Sequence, residues 1–529
     1  MNRLASFAFL LLGTCALASP ARAVDAKEFK RQFLEKQNSW ERIALIKALD
    51  PKEKASLNLL TDFVLKQLDW YYREAAIEVL STAYDPDLIG ELEKLAGKRG
   101  DPIVAEGIIM AFGVGKQKDR IPLITEQLLA SKKMVVKRAC AIALGMMPDK
   151  RAVEPLIKAW ENEKDFMVWV HILENLEKIT QEKNMPTAQD WRGWWEAVKD
   201  TWEVPPPKED TIDAESGKSG EVMKTKVRGV DLEFRSRGKG LPLLVLPEYG
   251  YEKDYLETYL RNLEETNQIL YMKLPGASDF DPPPPNAPNL PAPWYPLERI
   301  VEAFEELHGH LVKEGKIQDK PFAIMAHGLT TWVAMTYAAK HPRKVRRMIL
   351  IAPTSGGKAW GEGRDRVEKK GKEIGDIEME HYAQTQLFEN GQARYTAKGD
   401  EESEAINRKG HTLYFADTRD LEIGRIYGPI VEKRVGANSI ARVHACERPM
   451  GSVFIPDFSL FKLERVPTPT LIMHGALSTR VSIEDCEAIA KHYQPAAKVV
   501  TFKRSDRMPF IEENERFVEN VQKFMGSAR

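Results

Sequence analysis

Cysteine is scarce in this chain. Of four cysteines in 529 residues, Cys15 lies close to the N-terminus, leaving Cys140, Cys446 and Cys486, an odd and widely spaced set. That excludes a disulfide framework and any cysteine metal cluster, and Cys140 reads as a small buried hydrophobe. Histidine is also sparse, with ten in the chain and none beyond His492. Excess charge of either sign is missing too. Lys and Arg number 77 against 78 Asp and Glu, a formal net charge of -1, which argues against non-specific nucleic-acid binding. Beyond the first 23 residues no apolar run is long enough to span a bilayer. No metal-ligand spacing, P-loop or dinucleotide fingerprint occurs, so neither a metal nor a cofactor is expected. Gly361-Glu362-Gly363 lacks the preceding strand that a nucleotide loop requires.

What is present begins with an address. Arg3 supplies a positive start, residues 4–18 an apolar run, and Ala21-Arg22-Ala23 a small-x-small site. Residues 1–23 are therefore expected to be a cleavable signal peptide, making the protein secreted or periplasmic and without a membrane segment after cleavage. The remaining length calls for at least two cores.

Residues 24–203 are rich in helix formers and repeat with a period of 32. Ala75–Ser81, Gly107–Gly113, Ala139–Gly145 and His171–Glu177 align, so Leu80, Phe112, Leu144 and Leu176 share one position. Ile89, Ile121 and Val153 share another, as do Leu92, Ile124 and Leu156. Two helices of different phase keeping one period resemble a HEAT-type α-solenoid, in which each hairpin buries a face against its neighbours. That resemblance implies a protein partner. Trp191, Trp194, Trp195 and Trp202 are read as closing the core, and His171 as a packed helix histidine. Residues 204–220 shift to a proline-rich and then small, charged composition, a linker.

From 221 to 529, strand and helix signals alternate, which predicts a mostly parallel sheet with helices on both faces. The predicted strands are 222–228, 230–235, 241–246, 268–273, 321–325, 348–352, 469–474 and 497–503. Predicted helices include 297–314, 483–492 and 511–525, with a long insertion at about 355–463. The centre is Pro321–Thr354, a buried strand, a sharp turn, a helix ending Tyr337-Ala338-Ala339-Lys340-His341-Pro342, and a second buried strand. This segment resembles the α/β-hydrolase fold around its nucleophile elbow, G-x-S-x-G. Capped, proline-iminopeptidase-like members are the most similar, with the insertion in the place of their helical cap.

The resemblance assigns chemistry to positions that no longer carry it. The five elbow residues are Ala326-His327-Gly328-Leu329-Thr330, with glycine at the nucleophile. The acid's segment is His474-Gly475-Ala476-Leu477-Ser478, placing Ser478 on the acid; the base's is Asp506-Arg507-Met508-Pro509, placing Arg507 on the histidine. The oxyanion-equivalent positions are Glu248, after the third strand, and Leu329. A glycine cannot attack, an arginine stays protonated and cannot act as base, and a carboxylate opposes an oxyanion. His327 and His474 are read as structural. Ser355, Thr330 and Thr331 lack an identifiable base.

Glu248, His327, Gly328 and Arg507 remain as a candidate ligand pocket, with a small anion under the cap as its ligand. A buried guanidinium needs a partner, and pairing of Arg507 with Glu248 is the expected arrangement. The favoured reading is an exported pseudo-hydrolase acting in ligand or protein binding. The alternatives are a hydrolase of small esters or peptides with an unorthodox site, and a purely structural tandem.

Overall fold

The computed structural model describes residues 25–206, 221–248, 254–273, 297–426 and 463–526, each range less a few isolated positions. Residues 1–23, expected to be a signal peptide, nearly all of the expected linker and Cys446 lie outside the described residues. The chain divides into two compact units. The first is residues 1–219 together with Thr418–Arg425, and the second is 220–417 with 426–529.

The first unit is helical. Its first helices, Trp70–Leu80, Pro102–Val114, Met134–Met146 and Phe166–Thr180, begin 32 residues apart, the period read from the sequence. Leu80, Phe112, Leu144 and Leu176 are all buried, as are Ile89, Ile121 and Val153 on the second helices. Asp101, Asp149 and Asp165 cap their helices by accepting from backbone N–H groups, which satisfies otherwise orphaned donors. Trp191 and Trp195 are buried, and Trp194 and Trp202 meet them edge-on. Among the described residues, no helix is long and apolar enough to cross a membrane.

One packing relationship differs from a simple division at the linker. Residues Thr418–Arg425, within the stretch read as cap, belong to the helical unit. The cause is charge. Glu106 and Arg138, 32 residues apart, occupy one position of the repeat beside the core, and both are buried. Arg73 donates to Glu106 at 2.6 Å and to the Arg419 carbonyl, and Arg138 to Asp420 at 2.5 Å. His171 Nε2 lies 3.1 Å from Glu422, which also accepts from Arg425 at 2.6 Å; Arg425 in turn donates to Glu174 at 2.8 Å. A repeat face with two buried arginines and a histidine needs acids, and this segment brings them. His171 is packed in the helix, as expected, but as one partner of an ion pair.

The second unit is an α/β-hydrolase fold. Its sheet comprises β1 (Glu221–Val227), β2 (Val230–Arg237), β3 (Leu241–Leu246), β4 (Asn267–Lys273), β5 (Phe322–His327), β6 (Val345–Ile351), β7 (Thr470–Gly475) and β8 (Ala497–Phe502). The order is β1-β2-β4-β3-β5-β6-β7-β8, and only β2 runs antiparallel to its neighbours. β5 and β7 are buried along their whole length, hence their continuous apolar runs. The final helix, expected unbroken, stops at Glu512 and restarts at Asn514. Glu513 between them leaves helical geometry, and its carboxylate accepts from Arg504 N–H and the Ser505 hydroxyl. The insertion contains helices Gly357–Ile374, Ile377–Thr385 and Asp400–Thr412. The first two pack around Val367, Met379, Tyr382 and Ala383, with Ile406 of the third.

Candidate functional site

The turn after β5 places Gly328 at φ +60°, a left-handed conformation that costs an L side chain roughly 1–2 kcal/mol. Space is the stronger constraint. A Cβ on Gly328 would lie 1.6 Å from Oε2 of Glu248 and 2.2 Å from its Cδ. The carboxylate of Glu248 therefore occupies the volume in which a nucleophile would begin. Its Oε1 accepts from the Leu329 N–H at 2.9 Å, and its Oε2 from Arg507 Nη2 at 2.5 Å. Both side chains are buried, at 0% exposure for Arg507 and 2% for Glu248. The expected pairing of Arg507 with Glu248 is the arrangement found. A fixed internal carboxylate thus holds the Leu329 N–H, at one of the two positions that the hydrolase resemblance assigns to an oxyanion.

His327 connects the two halves of this pair. The Glu248 N–H donates to the Tyr255 hydroxyl at 2.9 Å, and that hydroxyl lies 2.7 Å from His327 Nδ1. His327 Nε2 is 3.0 Å from the Arg507 carbonyl. A carbonyl only accepts, so Nε2 carries the proton, Nδ1 accepts from Tyr255, and the tyrosine oxygen accepts from Glu248. Burial, and then the nearby Arg507 charge, hold the His327 imidazole well below its ordinary value. A neutral ring in this tautomer fixes the backbone at Glu248 and Arg507. Its role here is positional.

The remaining sequence candidates are scattered. Ser478 accepts from the Val481 N–H at 3.2 Å in the loop after β7. Beside it, burial pushes the Asp506 carboxyl up to about 7, against the hydrogen bond from Ser478 and the Arg507 charge. Ser355 donates its hydroxyl to Asp485 Oδ1, and Asp485 Oδ2 caps helix Ile483–His492 through Ser482. Thr330 and Thr331 donate to the His327 and Gly328 carbonyls at 2.9 and 2.6 Å, closing the turn. No group of three or more metal-ligating side chains occurs among the described residues.

Sequence reasoning missed the roof over Arg507. The Tyr414 ring centroid is 4.1 Å from its guanidinium carbon, and the Arg507 N–H donates to the Tyr414 carbonyl at 3.0 Å. Beyond Tyr414 lie two more buried arginines, Arg364 and Arg480. Arg480 donates to the Tyr414 and Tyr382 hydroxyls at 3.2 and 3.4 Å. No local pattern announces such a cluster, because Arg364, Tyr382, Tyr414, Arg480 and Arg507 come from five separate places in the chain.

Two of the buried histidines, His171 and His327, give opposite pH dependences. Burial opposes charge on His171, but Glu422 and Glu174 together outweigh it and raise the imidazole above its ordinary value. Its contribution is complete below the unfolded value near 6.5 and is lost as pH rises through the higher folded value. His327 is depressed, so its contribution is present above about 6.5 and falls away as pH drops below that. His171→Gln is therefore expected to destabilise the helical unit more at pH 5.5 than at pH 8.5. His327→Gln should destabilise the hydrolase unit less at pH 5.5 than at pH 8.5. Each difference should be at most about 1.4 kcal/mol per pH unit, read by hydrogen exchange in each unit. Equal effects at both pH values would contradict the assigned protonation states.

Residues 136–160 match the PBS lyase HEAT-like repeat family. No curated protein matches the sequence. Among solved structures, the chain is similar to an alpha/beta fold family hydrolase from Bacillus anthracis str. Sterne (14% identity, TM-score 0.40, covering 58% of this chain and 99% of that one). It is also similar to a proline iminopeptidase-related protein from Thermus thermophilus (17%, 0.41, 58% and 98%) and to an esterase from Exiguobacterium antarcticum (15%, 0.41, 58% and 100%).

Proposed function

We propose that this protein is a non-catalytic α/β-hydrolase-fold binding protein. It acts outside the cytoplasm, and its HEAT-like helices serve a protein partner. The observation that supports this most directly is the Glu248 carboxylate above Gly328, held by Leu329 N–H and Arg507. Acyl transfer needs a nucleophile, a base near neutral pKa and free donors for the developing oxyanion. Here the corresponding places hold no side chain, a guanidinium and an internal anion. The fold's usual reaction centre is replaced by a buried ion pair that serves as structure.

The purified protein is accordingly expected to show no steady turnover of p-nitrophenyl esters or aminoacyl anilides and no labelling by a fluorophosphonate serine probe. Turnover that survives purification and vanishes in Ser355→Ala or Thr330→Val would favour the alternative, a hydrolase of small esters or peptides with an unorthodox site.

A further inference from the structure

A buried arginine can rarely be left without an acceptor, since it carries five donors and does not lose its charge in a protein. Arg364, on helix Gly357–Ile374, is fully buried, yet Nε, Nη1 and Nη2 all lack a hydrogen-bond partner among the described residues. Its contacts are aromatic. The guanidinium carbon lies 4.9 Å from the Trp360 ring centroid and 4.9 Å from that of Tyr382. Arg480, 5% exposed, stands 3.7 Å from the same Trp360 ring, with its Nε likewise without a partner. Tyr414 then joins Arg480 to Arg507, at 6.0 and 4.1 Å.

Three guanidiniums are thus strung along Trp360, Tyr382 and Tyr414. Glu248 forms a salt bridge with Arg507, while Arg364 and Arg480 form none among the described residues. The imbalance is built in. Gly363 has no side chain where a Cβ would meet the Arg480 carbonyl at 2.2 Å, and Arg366 donates to that carbonyl at 2.9 Å and to the Thr479 carbonyl at 3.1 Å. These contacts clamp the helix bearing Arg364 onto the loop bearing Arg480. Burial, and then the Arg364 charge, pull the Arg480 guanidinium below the ordinary arginine value, as expected of two like charges forced together. A fold under selection for stability alone would place an apolar side chain at Arg364.

We infer that Arg364 and Arg480, framed by Trp360, Tyr382 and Tyr414, form a binding site for a doubly charged oxyanion, a phosphate or phosphate monoester. Two cations without salt-bridge partners among the described residues match a dianion in charge. Planar guanidinium forks match tetrahedral oxyanions in geometry, and the tyrosine hydroxyls add donors at the rim. The site adds a ligand class to the binding reading above. It also stands apart from that reading in the laboratory, because an anion titration and a hydrolysis assay can fail independently.

The test is thermal unfolding and calorimetric titration of the full chain with inorganic phosphate, glucose 6-phosphate and malonate at constant ionic strength. Phosphate or the monoester should give a saturable rise in Tm that malonate does not match. Arg364→Met should leave the ligand-free protein as stable as wild type or more so, while weakening phosphate binding on the order of 10–100-fold. Arg364→Lys, which keeps the charge and loses the fork, should bind with intermediate affinity. The inference is overturned if neither phosphate compound shows saturable binding, if malonate binds more tightly than both, or if both Arg364 variants bind as wild type does.

Discussion

Gly328→Ser is expected to leave the second unit less stable by on the order of 3–5 kcal/mol and to restore no hydrolysis. The turn supplies part of the loss, because a side chain at φ +60° costs roughly 1–2 kcal/mol. The larger part is eviction. A Cβ at 1.6 Å from Glu248 Oε2 requires the carboxylate to leave, and Arg507 and the Leu329 N–H then lose their acceptor in a dry interior. Stranding one member of a buried ion pair costs about 3–5 kcal/mol. The two terms overlap, since a turn that relaxes relieves both. Urea unfolding with an unchanged slope and a lowered midpoint is the measurement. A midpoint equal to that of wild type would mean that Glu248 does not fill this volume. Catalysis stays absent because the base position is still Arg507, and triad members act as a unit.

Arg507→Ala and Glu248→Gln should each destabilise the same unit, the first by about 3–5 kcal/mol and the second by a comparable amount. Removing the arginine leaves Glu248 as a buried carboxylate with only the Leu329 N–H as donor. Neutralising the glutamate leaves Arg507 facing an amide beneath Tyr414. The double variant should lose less than the sum, with a coupling on the order of 0.5–3 kcal/mol. Replacing both with apolar groups, Glu248→Leu with Arg507→Met, should come closer to wild type than either single change. Strict additivity in the cycle would show that the 2.5 Å contact carries no energetic coupling.

These expectations rest on residues that were legible in the sequence to different degrees. Strand β3 and helix Ile483–His492 lie where apolar runs and capping residues put them, because both depend on local signals: a continuous buried run, and the Ser482–Asp485 capping box. The 32-residue period was legible for a similar reason, since each hairpin repeats one local solution. The residue changes at Gly328, Ser478 and Arg507 could be read because the resemblance names those positions; the structure brings Gly328 and Arg507 together around Glu248 and leaves Ser478 in the loop after β7. What was not legible has no local signal. Asp420 and Glu422 sit in a polar stretch, and it is the distant Arg138 and His171 that partner them, leaving Asp420 half-buried and Glu422 buried. Arg364 and Arg480 likewise read as ordinary charges until the fold brings them onto one tryptophan ring. That a carboxylate would fill the space above Gly328 follows from a rotamer, which spacing does not specify.

The acids at 420 and 422 also bear on how the molecule is made. A solenoid is usually the easiest architecture to build on a ribosome, because every hairpin rests on the one before it. Here the row formed by Arg73, Glu106, Arg138 and His171 is not complete until Thr418–Arg425 has been synthesised. For most of translation that row sets two arginines and a histidine against Glu106, and its closing contacts span a long stretch of chain, which is slow to form. The acids that balance this row therefore come from residues 418–425 of the same chain, so its charges are matched only late in synthesis.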